Sequence, residues 1–207
     1  MLSAWSVHQD RDDSGGGASS RLTRDSLPVA VGVMLVTLKQ LIANQYEAAL
    51  STLNFCVRRC PVQSWNECVA KWKFCQAAFH AVFFADLYLQ PTDDVEAFKR
   101  QGFHVEHKAV FRDYEELQDR PHVLLYEKAF VLNYLQHVRP KAQETIARES
   151  ADVLAGNSGF HWRKCSRAEL HVYNIRHVQH HAAQLSLRLR LDSDLDIPWV
   201  GHAWKDA

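Results

Sequence analysis

From residue 28 onward, apolar side chains recur at three- and four-residue steps, and this periodicity constrains the fold more than any other feature of the sequence. In the first segment, which runs from Pro28 to Arg59, the repeating positions are Val31, Leu35, Leu38, Ile42, Ala49, Leu53 and Val57. Such a stripe is typical of a helix that packs one face on a core. Strand-type alternation is rare in the chain, so we expect an all-α fold.

The remaining sequence predicts three further helices, which cover about residues 65–89, 121–148 and 166–191. Pro140 lies inside the third of these helices and should kink it or split it near His137. Ser166 is followed three residues later by Glu169, which is the pattern of a capping box at the start of the fourth helix. About 30 residues separate the second helix from the third, at 90–120. A connection of this length can cross the end of a bundle.

Four long amphipathic segments predict a four-helix bundle with a long connection between the second and third helices. The first 26 residues are rich in Gly and Ser and carry scattered charges. They have too little apolar surface to bury, so we expect a disordered leader over 1–26 and one helical domain over 27–207. A homodimer formed through a helix face is compatible with this architecture, although nothing in the sequence selects it.

Charge and apolar patterning bear on the partners and the location of the chain. Lys and Arg together number 24, and Asp and Glu together also number 24. The resulting net charge of zero argues against a nucleic-acid binder. The apolar run Val29–Val36 is shorter than a membrane span, and no secretory signal precedes it. We therefore expect a cytoplasmic protein with no membrane partner, whose five cysteines are reduced and mostly serve as small apolar side chains.

Histidine is the unusual component of the composition, with 12 residues. His177 and His181 are four residues apart, so their rings lie on one face of the fourth helix and could share a metal ion. His177 and His180, three apart, could do the same, and spacing alone does not choose between His180 and His181. A third ligand must come from a facing helix. His80, on an otherwise apolar stretch of the second helix, is the candidate.

Two stretches of the chain resemble the DinB-like family (the DinB/YfiT superfamily) of metal-binding four-helix bundles. They are residues 72–89, WKFCQAAFHAVFFADLYL, and residues 170–185, LHVYNIRHVQHHAAQL, which carries the pattern HxxxHxxQ. Weaker likeness at Asn44-Gln45, Gly159-Phe160 and 197–201 extends the resemblance to roughly residues 34–201. The resemblance implies metal ligation by His80, His177 and His181, because it is His181 that Gln184 follows in the pattern.

Three neutral imidazoles suit Zn²⁺, Ni²⁺, Fe²⁺ or Cu²⁺ and leave one coordination position open for water or substrate. The resemblance implies hydrolase or thiol-transferase chemistry on a small-molecule substrate or a low-molecular-weight thiol. The alternative is a non-catalytic, metal-stabilised bundle that acts in stress response or protein association. An exposed apolar face on the first or third helix would favour that alternative.

Other polar residues have expected roles around this site or apart from it. Gln184, Asn174 and Gln76 each lie one helical turn from a predicted ligand and are positioned to fix the imidazole rings, although a polar residue at such a place is more often a plain surface or bundle-edge side chain. We expect His104 and His107 to be solvated in the long connection. Asp86, six residues after His80, should face away from it as a charge on the helix surface. His161 is expected near a pocket mouth without binding metal.

Overall fold

The computed structural model describes residues 26–207. The predicted disordered leader, apart from Ser26, lies outside the described residues. Helices make up most of the described chain, which confirms the expectation of a mostly helical fold.

Four long helices are joined by short helices, turns and one small hairpin. In chain order the elements are α1 (Ser26–Arg59), β1 (Cys68–Val69), β2 (Trp72–Lys73), α2 (Phe74–Leu87), α3 (Val95–Lys99), α4 (Gly102–Glu106), α5 (Lys128–Arg148), α6 (Ala151–Ala155) and α7 (Arg167–Ser193). Single 3₁₀ turns occur at Val62–Ser64 and Glu115–Leu117. The antiparallel hairpin pairs Cys68 with Lys73 and Val69 with Trp72.

The core lies among the four long helices, because α1 and α2 each pack against both α5 and α7. Side chains such as Leu53, Phe83, Leu135, Val178 and Leu185 are completely buried between them. The amino-terminal half of α1 lies outside this core. Its apolar residues Val31, Val33, Met34, Val36 and Leu41 are all exposed.

The second helix begins at Phe74 rather than near Trp65, because a hairpin precedes it. Ala70 has a positive φ of 55°, which a helix cannot contain, and it turns the chain between β1 and β2. Backbone hydrogen bonds from Phe74 to Glu67 and from Cys75 to Trp65 close this turn. Cys68 is therefore exposed on β1, unlike the buried Cys56, Cys60 and Cys75.

The third long helix begins at Lys128 instead of near Pro121. The carboxylate of Glu115 accepts hydrogen bonds from the backbone N–H groups of Val123 and Leu124, and this holds the preceding segment extended. Pro140 does not split α5, which continues to Arg148. Pro140 has no N–H group to donate to the carbonyl of Gln136, four residues earlier in the helix. Both residues are exposed, so water can bond to that carbonyl instead.

The fourth long helix begins as predicted. The side chain of Ser166 accepts a hydrogen bond from the backbone of Glu169, and the Glu169 carboxylate in turn accepts one from the backbone of Ser166. None of the helices within residues 26–207 has the length of apolar sequence that crossing a bilayer demands.

Candidate metal centre

The candidate site lies where α2 and α7 run antiparallel, along a seam of paired rings. Moving along this seam, ring centroids are 5.6 Å apart for Tyr88 and Tyr173, 5.6 Å for Phe84 and His177, and 4.8 Å for His80 and His181. From one pair to the next, the residue number falls by four on α2 and rises by four on α7. This is the pattern expected of two helices that face each other with opposite direction.

The three predicted histidines converge through their Nε2 atoms. The Nε2 atom of His177 is 3.3 Å from that of His80 and 3.2 Å from that of His181. A set of ligand atoms, one from each histidine, lies within 4.8 Å of one another. Two nitrogens bound at roughly 2.0–2.1 Å to a tetrahedral ion are about 3.3 Å apart, which matches the distances from His177 to His80 and from His177 to His181.

Hydrogen bonds on the far side of two rings direct their lone pairs toward this point. Nδ1 of His80 lies 2.5 Å from Oε2 of Glu116, and Nδ1 of His181 lies 3.1 Å from Oε1 of Gln184. Both oxygens can accept a proton held on Nδ1, which leaves Nε2 of each ring unprotonated. Nε2 of His177 can donate to only one of these two atoms. A cation would satisfy all three nitrogens at once.

Burial keeps the three imidazoles neutral, which is the protonation state that binds metal. Removal from water lowers the pKa of His80 to about 3, with a smaller effect of nearby His122. Burial, together with the neighbouring His181 and His80, lowers the pKa of His177 to about 3. For His181, burial followed by the proximity of His80 lowers the pKa to about 4. The cluster is therefore ready to bind a cation at neutral pH without first losing protons.

Sequence reasoning missed Glu116, which lies in the 3₁₀ turn of the long connection. Its side chain is fully buried, and Oε1 lies 3.5 Å from Nδ1 of His122 while Oε2 contacts His80. Burial raises the pKa of Glu116 to about 8, although the nearby His122 opposes this shift. A buried carboxylate with few protein partners is compensated best by a cation close by. No periodicity marks this residue, so only the path of the connection reveals it.

Trp72 was also missed as part of the site, because it belongs to the unpredicted hairpin. Its ring stacks on His122 with centroids 5.2 Å apart and planes at 9°. It also contacts His80 at 4.4 Å and His181 at 5.8 Å. Together with Phe84, which touches His80 and His177, the indole excludes water from one side of the cluster.

Of the three amide side chains positioned to fix the rings, only Gln184 contacts one of them. Gln76 instead donates to the backbone carbonyls of His122 and Leu124, and so holds the segment after Glu116. Asn174 donates to the carbonyl of Ala85 and thereby joins α7 to α2. These two residues support the framework of the site rather than its imidazoles.

His180, the alternative to His181 at helical spacing, is exposed and lies outside the cluster. Its Nε2 atom is 3.0 Å from Nε2 of Gln184. His161 is exposed and contacts Asp93 through both its ring and its backbone N–H.

The predictions for His104 and Asp86 were wrong, since both side chains are buried. Nε2 of His104 lies 3.0 Å from Oδ2 of Asp86, the hydroxyl of Tyr134 donates to the same oxygen at 2.8 Å, and Lys141 pairs with Oδ1. Asp86 does face away from His80, but α4 and α5 cover that face of α2. His107 is half-buried, with its ring against Phe103.

Three neutral imidazoles held by second hydrogen-bond partners can bind a divalent cation and leave part of its coordination sphere free. The side chain of His80 keeps 13% of its surface exposed, so the cluster is not completely closed to solvent. No protein-family model, curated protein or solved structure matches this chain.

Proposed function

We propose that this chain is a mononuclear metalloprotein in which His80, His177 and His181 hold one divalent cation, with hydrolase or thiol-transferase chemistry at that ion. The observation that carries the proposal is the convergence of three Nε2 atoms at 3.2 and 3.3 Å, the separation that a tetrahedral ion imposes. Two of the rings have their Nδ1 atoms facing acceptors, so the Nε2 lone pairs of His80 and His181 both face Nε2 of His177. Nε2 of His177 can donate a proton to only one of them, whereas a cation would satisfy all three nitrogens.

The donor set fits a borderline ion such as Zn²⁺, Ni²⁺ or Fe²⁺. When bound, such an ion lowers the pKa of a coordinated water or thiol and polarises a carbonyl. The residues of the chain have separate roles around it. Glu116 and Gln184 hold two of the rings in orientation, while Trp72 and Phe84 keep one side of the cluster dry. We expect a small substrate to approach at the exposed part of His80.

We further infer a four-helix bundle of the DinB-like kind. The packing of α1 and α2 against both α5 and α7 supports this architecture. The resemblance implies one ligand on the second long helix and two on the fourth, followed by a glutamine. His80 on α2, and His177, His181 and Gln184 on α7, have that arrangement.

The metal content of the purified protein tests the proposal, with His180→Ala as a matched control for His177→Ala. Both substitutions remove an imidazole from α7, but only His177 lies in the cluster. We expect about one equivalent of metal in the wild type and in His180→Ala, and almost none in His177→Ala. Circular dichroism checks that each variant is folded. Absence of metal from all three proteins after incubation with Zn²⁺, Ni²⁺ and Fe²⁺ would contradict the proposal.

A second candidate, a metal-stabilised protein that acts by association, is favoured by one observation. The amino-terminal half of α1 exposes Met34 (71%) and Val36 (68%) without any covering element from residues 26–207. Exposed apolar surface of this kind often marks a contact with another protein. Light scattering of the wild type and of a Met34→Lys, Val36→Lys double variant separates the two candidates. A wild-type oligomer that the variant dissociates supports association, whereas two monomers of equal size remove this support.

A further inference from the structure

Arg163 lies at one end of the seam, in the loop between α6 and α7. Its Nη2 atom donates to the hydroxyl of Tyr88 at 3.0 Å and to that of Tyr173 at 2.5 Å. The guanidinium carbon lies 4.1 Å from the centroid of the Tyr173 ring. Arg163 therefore covers the Tyr88–Tyr173 pair, which lies next to the Phe84–His177 pair along the seam.

The positive charge of Arg163 is not neutralised by the described part of the chain. No carboxylate within residues 26–207 comes within 4.0 Å of its guanidinium, and its partners are two neutral hydroxyls. Other partly buried arginines of the fold are paired, such as Arg167 with Glu149 at 2.7 Å and Arg188 with Asp192 at 2.6 Å. An arginine that is oriented but unpaired is suited to an anion from outside the chain.

The loop that carries Arg163 is held in place by its own hydrogen bonds. The hydroxyl of the buried Ser158 donates to the carbonyl of Arg163 at 2.7 Å, and the backbone N–H of Ser158 donates to Cys165 at 3.0 Å. The backbone of Asp93 donates to Gly159 at 3.0 Å and fixes the loop to the segment after α2. The guanidinium is thus positioned before any ligand arrives, which lowers the entropic cost of binding.

Arg163 also lies close to the histidine cluster. One small molecule could therefore contact both its guanidinium and a metal ion bound by the three histidines. Tyr173 precedes His177 by one helical turn, a rise of about 5–6 Å. The rings of Tyr173 and His177 are nearly parallel, at 14°, with centroids 6.3 Å apart. The guanidinium carbon of Arg163 therefore lies at most about 10 Å from the centroid of the His177 ring, a separation that a short extended molecule and its contacts at both ends can span.

We propose that Arg163 binds the carboxylate of a small substrate whose other end reaches the three-histidine cluster. A single unpaired cation suits a monoanionic carboxylate better than a phosphate dianion, which is usually bound by several donors and charges. This inference rests on the proposed function, because the second anchor of the substrate is the metal. It adds the chemical class of the substrate and names Arg163 as the residue that selects it.

A cobalt-loaded protein tests this inference by binding rather than by activity. Thiolates are soft ligands for divalent transition metals, and their binding to Co²⁺ is visible in the absorption spectrum. Titration with 4-mercaptobutyrate and with its neutral analogue 4-mercaptobutyramide gives two dissociation constants. In the wild type we expect the acid to bind at least about tenfold more tightly, because only the acid can form a charge-assisted hydrogen bond with the guanidinium.

Arg163→Gln should bring this ratio of dissociation constants close to one. Arg188→Gln is the matched control, because Arg188 lies beyond the other end of the cluster and is already paired, so the ratio should stay at the wild-type value. Equal binding of acid and amide by the wild type, or a ratio unchanged in Arg163→Gln, would overturn the inference. If the ratio of dissociation constants fell to about one in Arg188→Gln alone, the inference would also be overturned.

Two further results separate the possible failures. A wild-type protein that takes up no cobalt overturns the proposed function and this inference with it, whereas cobalt uptake without charge discrimination overturns this inference alone. Where Arg163→Gln does not fold, Tyr173→Phe decides, since it removes the hydroxyl that orients the guanidinium and keeps the aromatic ring. It should lower the ratio at least about threefold, and an unchanged ratio contradicts the inference.

Discussion

Glu116 and His80 form a carboxylate–imidazole pair across 36 residues of sequence, with Oε2 of the glutamate 2.5 Å from Nδ1 of the histidine. The carboxylate comes from a single 3₁₀ turn, whereas the imidazole comes from the middle of α2. Such a pair fixes both the orientation of the ring and the nitrogen that carries its proton. It directs Nε2 of His80 toward His177, where a cation would be bound.

Glu116→Gln should weaken zinc binding by about 10- to 100-fold, the usual cost of losing the outer partner of a ligand histidine. The glutamine keeps the size of the side chain but cannot ionise, whereas a cation bound close by would favour the negative charge on Glu116 that strengthens the imidazole as a ligand. Competition with a chromogenic chelator measures the dissociation constant. Glu106→Gln, at an exposed glutamate of the same connection, is the control and should bind zinc as the wild type does. Equal affinities of the Glu116→Gln and wild-type proteins would contradict this role.

The histidine cluster could be predicted because helical spacing places residues on a common face. His177 and His181 are four residues apart on α7, and His80 lies on an apolar helix that must face the core. Glu116 and Trp72 could not be found in this way. They reach the cluster from a 3₁₀ turn and from a hairpin, whose paths depend on tertiary contacts rather than on a repeating pattern.

The same distinction applies to the fold. The extents of α1 and α7 follow from apolar periodicity and from the capping box at Ser166. The positive φ at Ala70 and the tether from Glu115 to the segment before α5 have no periodic signature, so the starts of α2 and α5 were predicted too early. Asp86 was predicted at the surface because nothing in the sequence showed that the connection folds back to cover it.

The stability of the metal-free protein should fall as the pH drops below neutrality. His177 and His181 have folded-state pKa values lowered by burial to about 3 and about 4, against an ordinary value of 6.5. The unfolded chain therefore takes up protons first, and the stability present above pH 6.5 is lost as the pH falls toward these lower values. Urea unfolding in the presence of a chelator, at several pH values from 7 to about 4, measures this loss.

His181→Gln should make this pH dependence shallower, because one of the buried groups that charges on unfolding is removed. The comparison uses the difference in slope between the two proteins, so contributions of other groups, such as Glu116, cancel to a first approximation. A slope that is the same in both proteins would show that His181 is not held neutral by the fold.

Gly159→Ala should destabilise the protein by about 2 kcal/mol or more and displace the loop that carries Arg163. Gly159 has a φ of +85°, and a Cβ atom there would lie 2.0 Å from the carbonyl oxygen of Pro91. Gly102→Ala is the matched control, since no atom lies within 4 Å of the added carbon. The control should be neutral or stabilise by up to about 1 kcal/mol. Thermal unfolding measures both, and equal melting temperatures would contradict the close approach at Gly159.

Tyr134→Phe should lower the stability by about 1.5–3 kcal/mol, the usual contribution of a hydrogen bond to a charged group. The Tyr134 hydroxyl donates to the buried carboxylate of Asp86 at 2.8 Å, and both side chains are completely buried. Tyr114→Phe, which removes a hydroxyl 3.0 Å from Nδ1 of His104 rather than one bonded to a carboxylate, should cost less.

The metal stoichiometry should be unchanged in Tyr134→Phe, because Asp86 and its partners lie on the face of α2 opposite to His80. Chemical denaturation and metal analysis of the same preparations separate the two effects. If Tyr134→Phe lost its metal while remaining folded, the buried Asp86 cluster would be coupled to the histidine cluster through α2. Unchanged stability would instead show that the Asp86 carboxylate keeps enough charge compensation from Lys141 and His104 alone.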